Sequence, residues 1–341
     1  MFPKVICGCY DDFFIMIKEV ITIQPRGFCA GVARSIKTVE DCLDIFGPPI
    51  YIKHAIVHNK VIVSDFKKRG AIIVEDVDEI PDGAIAIFSA HGSPPEHFAA
   101  ARKRNIRIID ATCPLVTKVH MEMIKFIEDD VNVVYIGHKG HVEGIGVIGE
   151  AKMMGVEVPI IESVDDVAML PFEKNEKIAY LTQTTLSINE TQKIVTALEK
   201  RYPHITTSPA QDICYATTNR QKAVAMLAQK VDIVFIVGSK TSSNSNRLVE
   251  VAIQNNCDAY LVDGVEDIKE KWFSNKKTIG ISAGASAPEY KVREIISFFV
   301  DQGAKHLEFI QTEENIQFTE PIELTRARKK GSAIHLSTQG K

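Results

Sequence analysis

Three cysteines of this chain occupy the same local setting, and thiols in such a setting bind soft metals. Cys29, Cys113 and Cys214 each precede a stretch with helical periodicity; the first two follow β-rich runs and the third follows a polar loop. A cysteine at the start of a helix faces unpaired backbone N–H groups and the positive end of the helix dipole, which lower the pKa of its thiol. The recurrence predicts one structural unit written three times, with each copy contributing a thiol to a shared central site.

Two polar loops follow each cysteine at nearly constant distances. The first loop lies 28 or 29 residues after the cysteine and contains His58, His141 or Ser242. The second lies 62, 71 or 72 residues after it and contains His91, Thr184 or Ser286. Imidazoles, hydroxyls, an amide and glycines can together bind phosphate oxygens without Lys or Arg. A single Ser-rich loop is more often a turn or a helix N-cap, so the prediction of an anion site depends on six loops recurring in register.

One carboxylate, Glu143, belongs to these loops, two residues after His141. A Glu paired with a His beside an open metal position is a candidate proton donor. Taken alone, a Glu in a loop is more often a surface carboxylate. The sequence therefore predicts an acid role for Glu143 only if the three units do form one site.

Three thiolates from distant segments leave one position open on a metal centre, which is what a catalytic metal needs. Zinc usually takes a closely spaced C-x-x-C pair, and the sequence contains none. Soft ligation by thiolates alone suits an iron–sulfur cluster better. The alternative is that the three cysteines are buried as small hydrophobic residues. Of the others, Cys42 and Cys257 are predicted to be core residues, whereas Cys7 and Cys9 form a C-x-C without further ligands.

The elements that would carry these residues alternate in the manner of parallel sheets. Nine short runs rich in β-branched residues, from IYIK at 50–53 to KTIGISAG at 277–284, are separated by longer helical stretches. Nearly continuous apolar strands separated by helices indicate a parallel sheet covered on both faces. Such sheets bind ligands outside the carboxyl ends of their strands. We therefore predict an α/β protein of three pseudo-repeated domains with small parallel sheets around a central metal site.

The predicted domain boundaries fall near the cysteines. The three α/β domains span 31–113, 114–211 and 212–296. Residues 1–30 form an N-terminal extension with a strand, at about 19–24, that completes the sheet of the third domain. Residues 297–341 form a C-terminal segment and tail.

The composition is that of an ordinary globular protein and excludes several classes of partner. The 341 residues are 45% hydrophobic and 25% charged, with a net charge of −4, which gives no electrostatic reason to expect nucleic acid or an anionic membrane as a partner. No run approaches the roughly 18 apolar residues of a membrane helix, and the N-terminus does not resemble a signal peptide. Seven dispersed cysteines fit a reducing compartment. The sequence thus predicts a cytoplasmic protein.

Long segments around these residues resemble one enzyme family. The chain is similar to the 4-hydroxy-3-methylbut-2-enyl diphosphate reductases, which catalyse the last step of the non-mevalonate isoprenoid pathway. The similarity runs from about Ile21 to about Pro321, and it is carried by PRGFCAGV, HAIVHN, FSAHG, DATCPLV, GHVEG, TQTTLS, DICYATTNRQ, GSKTSSNSNRL and SAGASAP. About 15 residues precede Met16, where family members tend to begin. GHVEG lacks a proline that many bacterial members carry, although the His-x-Glu spacing is kept.

The resemblance implies a fold, a cofactor and a reaction. The fold is a trefoil of three α/β domains around a [4Fe–4S] cluster held by Cys29, Cys113 and Cys214, with the fourth iron open. The reaction is the two-electron reductive dehydroxylation of (E)-4-hydroxy-3-methylbut-2-enyl diphosphate to isopentenyl and dimethylallyl diphosphate. The electron donor would be a ferredoxin or flavodoxin with its reductase.

The resemblance also implies the substrate site. Glu143 matches the family's proton donor, and His141 and Thr184 accompany it as catalytic residues. The substrate-binding positions are His58, His91, His141, Thr184, Ser242, Ser243, Asn244 and Ser286.

Three other functions compete with this interpretation. A cluster-dependent hydro-lyase also uses three cysteines and an open iron, but it transfers no net electrons. An iron–sulfur electron carrier usually closes its cluster with a fourth cysteine and has no use for six polar loops. A zinc hydrolase is the third alternative, and it would be colourless where a cluster protein is brown.

Overall fold

The computed structural model describes residues 17–207 and 212–329. The extension before Met16, with Cys7 and Cys9, and most of the basic tail lie outside the described residues. In the described part, thirteen strands and ten α-helices alternate. The strands pair in parallel throughout and form three separate sheets. The prediction of an α/β protein with three small parallel sheets is therefore confirmed.

The first sheet has the strand order β3-β2-β4-β5. Its strands are β2 (Ile50–Lys53), β3 (Ala71–Val74), β4 (Ile85–Phe88) and β5 (Arg107–Asp110). Its helices are α1 (Ala30–Phe46), α2 (Lys60–Lys68) and α3 (Pro95–Lys103). Two apolar clusters, one on each face, contain the strand residues Ile52 and Phe88 respectively. Burial of both faces explains why these strands are almost continuously apolar.

The second sheet has the order β7-β6-β8-β9. Its strands are β6 (Asn132–Ile136), β7 (Ile160–Ile161), β8 (Ile178–Thr182) and β9 (Thr206–Thr207). Its helices are α4 (Pro114–Glu128), α5 (Val142–Met153), α6 (Val164–Val167) and α7 (Ile188–Arg201). The sequence did not predict β7 and β9, because a strand of two residues shows no periodicity.

The third sheet has the order β11-β10-β12-β1-β13. Its strands are β1 (Glu19–Gln24), β10 (Ile233–Val237), β11 (Asp258–Val262), β12 (Thr278–Ala283) and β13 (Lys305–Ile310). Its helices are α8 (Tyr215–Ala228), α9 (Ser243–Gln254) and α10 (Glu289–Val300). The strand nearest the N-terminus, β1, thus lies between β12 and β13. The domain boundaries given above stay a prediction.

Short 3₁₀ turns occur at Val77–Glu79, Val265–Asp267 and Glu270–Trp272. Residues 322–329 are helical, and Leu324 in this stretch packs into the core beside the first sheet. Cys42 and Cys257 are buried in apolar clusters. In the part of the chain that the structure describes, none of the helices has both the length and the apolar character needed to cross a membrane.

Candidate active site

Each of the three recurring cysteines is the residue immediately before a helix. Cys29 precedes α1 and its Sγ accepts a hydrogen bond from Val32 N at 3.5 Å. Cys214 precedes α8 and its Sγ accepts from Thr217 N at 3.4 Å. Cys113 precedes α4 at the corresponding position, where its thiol faces the backbone N–H groups of Leu115 and Val116. All three have extended backbone conformations, which turns each thiol out of its helix at the end where backbone N–H groups are free.

The three sulfurs face one cavity without converging on a single point. A Cβ built on Gly31 would lie 2.7 Å from Sγ of Cys113 and 3.8 Å from Sγ of Cys29, and Cys214 lines the same cavity. Around one Zn²⁺, bonds of about 2.3 Å would hold the sulfurs within about 4 Å of one another. Among the described residues, the His/Cys/Asp/Glu group whose ligand atoms all lie within 4.8 Å of one another consists of three histidines and includes none of these cysteines. Three thiols that line one cavity from separate helix starts are a donor set that fits an iron–sulfur group.

Burial raises the pKa of two of these thiols, although their position at helix starts predicts a lowered pKa. Desolvation raises the pKa of Cys113 to about 12 and that of Cys214 to about 11. The backbone N–H groups at the helix start do lower both values, as the sequence predicted, but the effect of burial is larger. The pKa of each of these two thiols is therefore raised, and the prediction of a lowered pKa from the helix ends is wrong for them. A bound metal centre would displace their protons.

Three histidines of the polar loops line the same cavity as the cysteines. His58 follows β2 and His91 follows β4, with ring centroids 4.2 Å apart, and His141 lies 6.2 Å from His58. Burial lowers the pKa of His58 and of His141 to about 4, and it also lowers the pKa of His91. All three rings are therefore neutral at neutral pH. Because Nδ1 of His141 accepts from Glu143 N at 3.2 Å, its ring carries its proton on Nε2.

Glu143 lies in the first turn of α5 and is paired with the loop that follows β8. Its Oε1 accepts from Thr184 N at 2.7 Å, and its Oε2 lies 2.8 Å from Thr184 Oγ1. The side chain is buried. Burial raises the pKa of Glu143 to about 7, although both bonds from Thr184 act in the opposite direction. A carboxyl group with a pKa near neutrality can hold and release a proton under working conditions.

Hydroxyl and amide groups of the third unit complete the cavity wall. Ser242 precedes α9, and Ser286 Oγ lies 3.4 Å from its Oγ and donates to the carbonyl of His58 at 3.2 Å. Asn244 Oδ1 accepts a hydrogen bond from Ala285 N at 2.9 Å, and Asn244 Nδ2 donates to Thr217 Oγ1 at 3.4 Å. Ser243 Oγ lies 3.1 Å from Thr185 Oγ1. These contacts connect loops of different sheets.

The cavity has a volume of about 120 Å³ and opens to solvent. Every site residue predicted from the sequence lines it: Cys29, Cys113, Cys214, His58, His91, His141, Glu143, Thr184, Ser242, Ser243, Asn244 and Ser286. Sequence reasoning missed Thr185 and Thr217, which also line it. Thr185 belongs to the quoted TQTTLS segment, and its place beside Thr184 is the signal that could have identified it. Among the described residues, no Lys or Arg lines the cavity.

Comparison with known proteins identifies relatives over most of the chain. The LytB protein family matches residues 20–300. A 4-hydroxy-3-methylbut-2-enyl diphosphate reductase of Haemophilus influenzae is 48% identical over 307 residues, covering 90% of this chain and 98% of the relative. The enzyme of the same name from Acinetobacter baumannii is 46% identical over 308 residues, with the same coverage.

Two solved structures share the fold. The E-1-hydroxy-2-methyl-but-2-enyl-4-diphosphate reductase of Plasmodium falciparum superposes with a TM-score of 0.90 at 40% identity, covering 92% of this chain and 99% of that chain. A second structure, described as (E)-4-hydroxy-3-methyl-but-2-enyl diphosphate reductase, the terminal enzyme of the non-mevalonate pathway, gives a TM-score of 0.62 at 30% identity. It covers 83% of this chain and 99% of its own.

Proposed function

The chain belongs to the LytB protein family and has the reductase activity of its relatives, and we propose that it removes the hydroxyl group of (E)-4-hydroxy-3-methylbut-2-enyl diphosphate at a [4Fe–4S] cluster. Family membership confirms the resemblance drawn from the sequence. Family membership also favours the reductase over the three alternatives considered from the sequence, namely a hydro-lyase, an electron carrier and a zinc hydrolase. The observation that carries the proposal is one cavity lined by three separate thiols, a buried acid and a set of neutral phosphate-binding groups.

Cys29, Cys113 and Cys214 would hold the cluster and leave its fourth iron without a protein ligand. Two observations support this assignment: the three cysteines line one cavity, and a Cβ at Gly31 would lie within 4 Å of the sulfurs of Cys113 and Cys29. When bound, the cluster would pass the two electrons that the reaction consumes, one at a time, from the electron donor to the substrate. The helices α1, α4 and α8 present backbone N–H groups toward it, which stabilise negative charge on the thiolates.

The diphosphate would be held by neutral donors. The imidazoles of His58, His91 and His141, the hydroxyls of Ser242, Ser243 and Ser286 and the amide of Asn244 line the same cavity. Each hydrogen bond from such a donor to a charged oxygen contributes roughly 1.5–3 kcal/mol. Because no Lys or Arg of the described residues lines this cavity, we infer that the geometry of the donors decides which anion fits.

Glu143 and Thr184 would supply the proton that turns the departing hydroxyl into water. A hydroxyl group both accepts and donates, so Thr184 Oγ1, 2.8 Å from Glu143 Oε2, can pass a proton from the carboxyl group to the substrate. The overall reaction takes up two electrons and two protons, breaks the C–O bond, forms a C–H bond and releases water. Closure of the cavity around the substrate would position it and exclude bulk water.

The partners and compartment follow from this chemistry. Electrons would come from a ferredoxin or flavodoxin with its reductase, since such carriers deliver electrons one at a time. The five described cysteines are all free thiols, which supports a reducing, cytoplasmic environment. No partner of nucleic acid or membrane type is proposed.

An anaerobic assay tests the proposal. The purified, brown protein is incubated with the hydroxylated diphosphate and a chemical reductant, and the five-carbon products are identified. We expect isopentenyl and dimethylallyl diphosphate to form only when the reductant is present. Product formation without a reductant, or no loss of the hydroxyl group with it, would contradict the proposal.

A further inference from the structure

We propose that His54, His58 and His91 form a second metal site, distinct from the cysteine site, that takes a zinc-class divalent cation. Ligand nitrogens of the three imidazoles all lie within 4.8 Å of one another, and among the described residues no other His/Cys/Asp/Glu group meets this condition. Three imidazoles with a fourth position open make up a ligand set that suits zinc. Nitrogen donors also favour zinc-class ions over Mg²⁺ or Ca²⁺, which prefer oxygen.

The outer contacts of the trio are those that a metal site requires. His54 Nδ1 is 2.8 Å from Glu75 Oε2, and His91 Nδ1 is 3.2 Å from Ser89 Oγ. A ligating histidine almost always bonds through its other ring nitrogen to a carboxylate or another polar group, which fixes its tautomer and orientation. With Nδ1 engaged in this way, the Nε2 atoms of His54 and His91 remain for the cation.

Two ring nitrogens in this cluster are buried and have no partner. Nε2 of His54 and Nε2 of His58 are both shielded from solvent and make no hydrogen bond. A buried polar atom without a partner is unfavourable by about 1–3 kcal/mol, so a cation that binds these nitrogens would remove that cost. Low pKa values for His58 and His91 keep both rings in the neutral form that ligates metals.

His54 is held in place by its backbone and remains reachable from outside. It adopts a left-handed conformation, with φ of 59°, while its N–H donates to Val74 O at 2.7 Å. Such conformations in residues other than glycine recur where a side chain must be aimed. The side chain of His54 is 24% exposed and that of Glu75 is 70% exposed.

Occupation of this site opposes diphosphate binding, a consequence that rests on the proposed function. An imidazole nitrogen that ligates a metal cannot at the same time donate its N–H to a phosphate oxygen. His58 and His91 line the cavity, so zinc bound there removes two of its donors. Zinc binding itself does not depend on the reaction.

Direct binding is measured on the cluster-loaded protein under anaerobic conditions, where the three cysteines are already occupied. Zinc is titrated against a chromophoric chelator, and the bound ion is examined by zinc K-edge X-ray absorption. We expect nitrogen neighbours at about 2.0–2.1 Å. A shell of sulfur neighbours at about 2.3 Å, or no binding in competition with the chelator, would overturn the site.

Three variants locate the ion. We expect His54→Gln to abolish the tight binding of one zinc ion. We expect Glu75→Gln to weaken that binding about 10- to 100-fold, as loss of an orienting carboxylate does. His204→Gln, at an exposed histidine away from the cluster, should bind zinc as the unaltered protein does. If Glu75→Gln and His54→Gln both bind zinc as tightly as that control, the assignment is wrong.

Competition is measured by the reductase assay in zinc-buffered solution. We expect zinc to raise KM for the diphosphate without lowering kcat, and Glu75→Gln to need about 10- to 100-fold more zinc for the same effect while keeping its metal-free KM. A fall in kcat with loss of the cluster absorbance, or a lower KM with zinc, would refute competition. Absence of any reductase turnover would instead overturn the proposed function, and the chelator titration would still decide the metal site.

Discussion

At the level of single residues, the chemistry of the cavity depends on burial more than on any special side chain. Glu143 has an ordinary carboxyl group, but the surrounding protein removes it from water and brings its pKa to about 7. Burial acts in the opposite direction on His58 and His141, whose pKa values fall to about 4. The same desolvation therefore allows Glu143 to hold a proton near neutral pH and keeps the imidazoles neutral. Both states suit an uncharged lining around a charged substrate.

Replacement of Glu143 by Gln tests its role as the acid. The amide keeps the shape of the side chain and can still bond to Thr184, but it cannot donate an acidic proton. We expect kcat to fall by roughly 10²–10⁴, while KM and iron content stay close to those of the unaltered protein. Turnover equal to that of the unaltered protein would remove Glu143 from this role.

The raised pKa of Glu143 also predicts a pH dependence. A proton donor is active in its protonated form, so activity is retained below the pKa and lost as the pH rises through about 7. We expect kcat/KM to fall about tenfold per pH unit on the alkaline side. A pH profile measured on the unaltered protein and on Glu143→Gln gives the test. If the residual activity of the variant shows the same alkaline fall, the titrating group is not Glu143.

At the level of secondary structure, the helix starts are the elements that build the site. Three helices begin directly after a cysteine, and α5 and α9 begin directly after His141 and Ser242. Because parallel strands end at the same edge of each sheet, the loops between strand ends and helix starts collect on one side. The recurring spacing in the sequence reflects this arrangement.

Gly31, in the first turn of α1, is predicted to be required by the metal centre and not by the helix. A Cβ there would lie 2.7 Å from Cys113 Sγ, so the thiol would have to move. Alanine favours a helix over glycine by up to about 1 kcal/mol. We therefore expect Gly31→Ala to bind less iron and sulfide while its thermal unfolding is not weakened.

A matched control for that variant is Ala33→Ser, on the exposed side of the same helix. It should retain a full complement of iron and sulfide. If Gly31→Ala incorporates as much iron as Ala33→Ser, the close contact between α1 and Cys113 does not constrain the cluster.

Arg220, on α8, is predicted to hold the loop that carries Cys29. The guanidinium is buried; it donates to Gly27 O at 2.8 Å and pairs with Glu314 at 3.1 Å. Removal of one partner of a buried ion pair costs about 3–5 kcal/mol, so we expect Arg220→Met to lower the free energy of unfolding by about this amount. Denaturant unfolding measures the change.

The corresponding control is Arg293→Met. Arg293 is 76% exposed and lies 4.0 Å from Glu289, so its removal should change the free energy of unfolding by no more than about 1 kcal/mol. Equal effects of the two substitutions would show that burial of Arg220 contributes nothing.

At the level of the whole molecule, loops from all three sheets meet at one cavity. Asn59, in the loop after β2 of the first sheet, donates from Nδ2 to Ser286 O of the third sheet's loops at 2.9 Å. Thr185, in the loop after β8 of the second sheet, contacts Ser243 at the start of α9. The three cysteines come one from each recurring unit. A metal group bound by all three would therefore link the sheets through covalent bonds.

We expect the cluster to stabilise the folded protein as a whole. A ligand that binds only the native state at 100 times its dissociation constant adds about 2.7 kcal/mol. Anaerobic calorimetry should therefore give a higher Tm for the cluster-loaded protein than for protein stripped by a chelator. Cys113→Ser should melt like the stripped protein, whereas Cys257→Ala, in a distant part of the core, should keep the difference. A Tm that does not depend on the cluster would contradict this linkage.

The sequence by itself determined the class of fold and indicated residues that line one cavity. Apolar β-branched runs can satisfy their hydrogen bonds and bury both faces only in a covered parallel sheet, so nine strands could be recognised. Polar residues recur at the strand ends of each unit, so spacing and family resemblance together identified twelve of the side chains that line the cavity. The two-residue strands β7 and β9 leave no such pattern, and they could not be predicted.

Only the tertiary structure decided how these side chains behave and what lies next to them. The direction of each pKa shift depends on desolvation by residues far away in the chain, which is why the helix ends alone gave the wrong sign for Cys113 and Cys214. The contact of Gly31 with Cys113 and the pairing of Glu143 with Thr184 also join distant segments. The imidazole cluster of His54, His58 and His91 depends in the same way on how β2 and β4 pack, because no sequence period encodes a distance between two strands of a sheet.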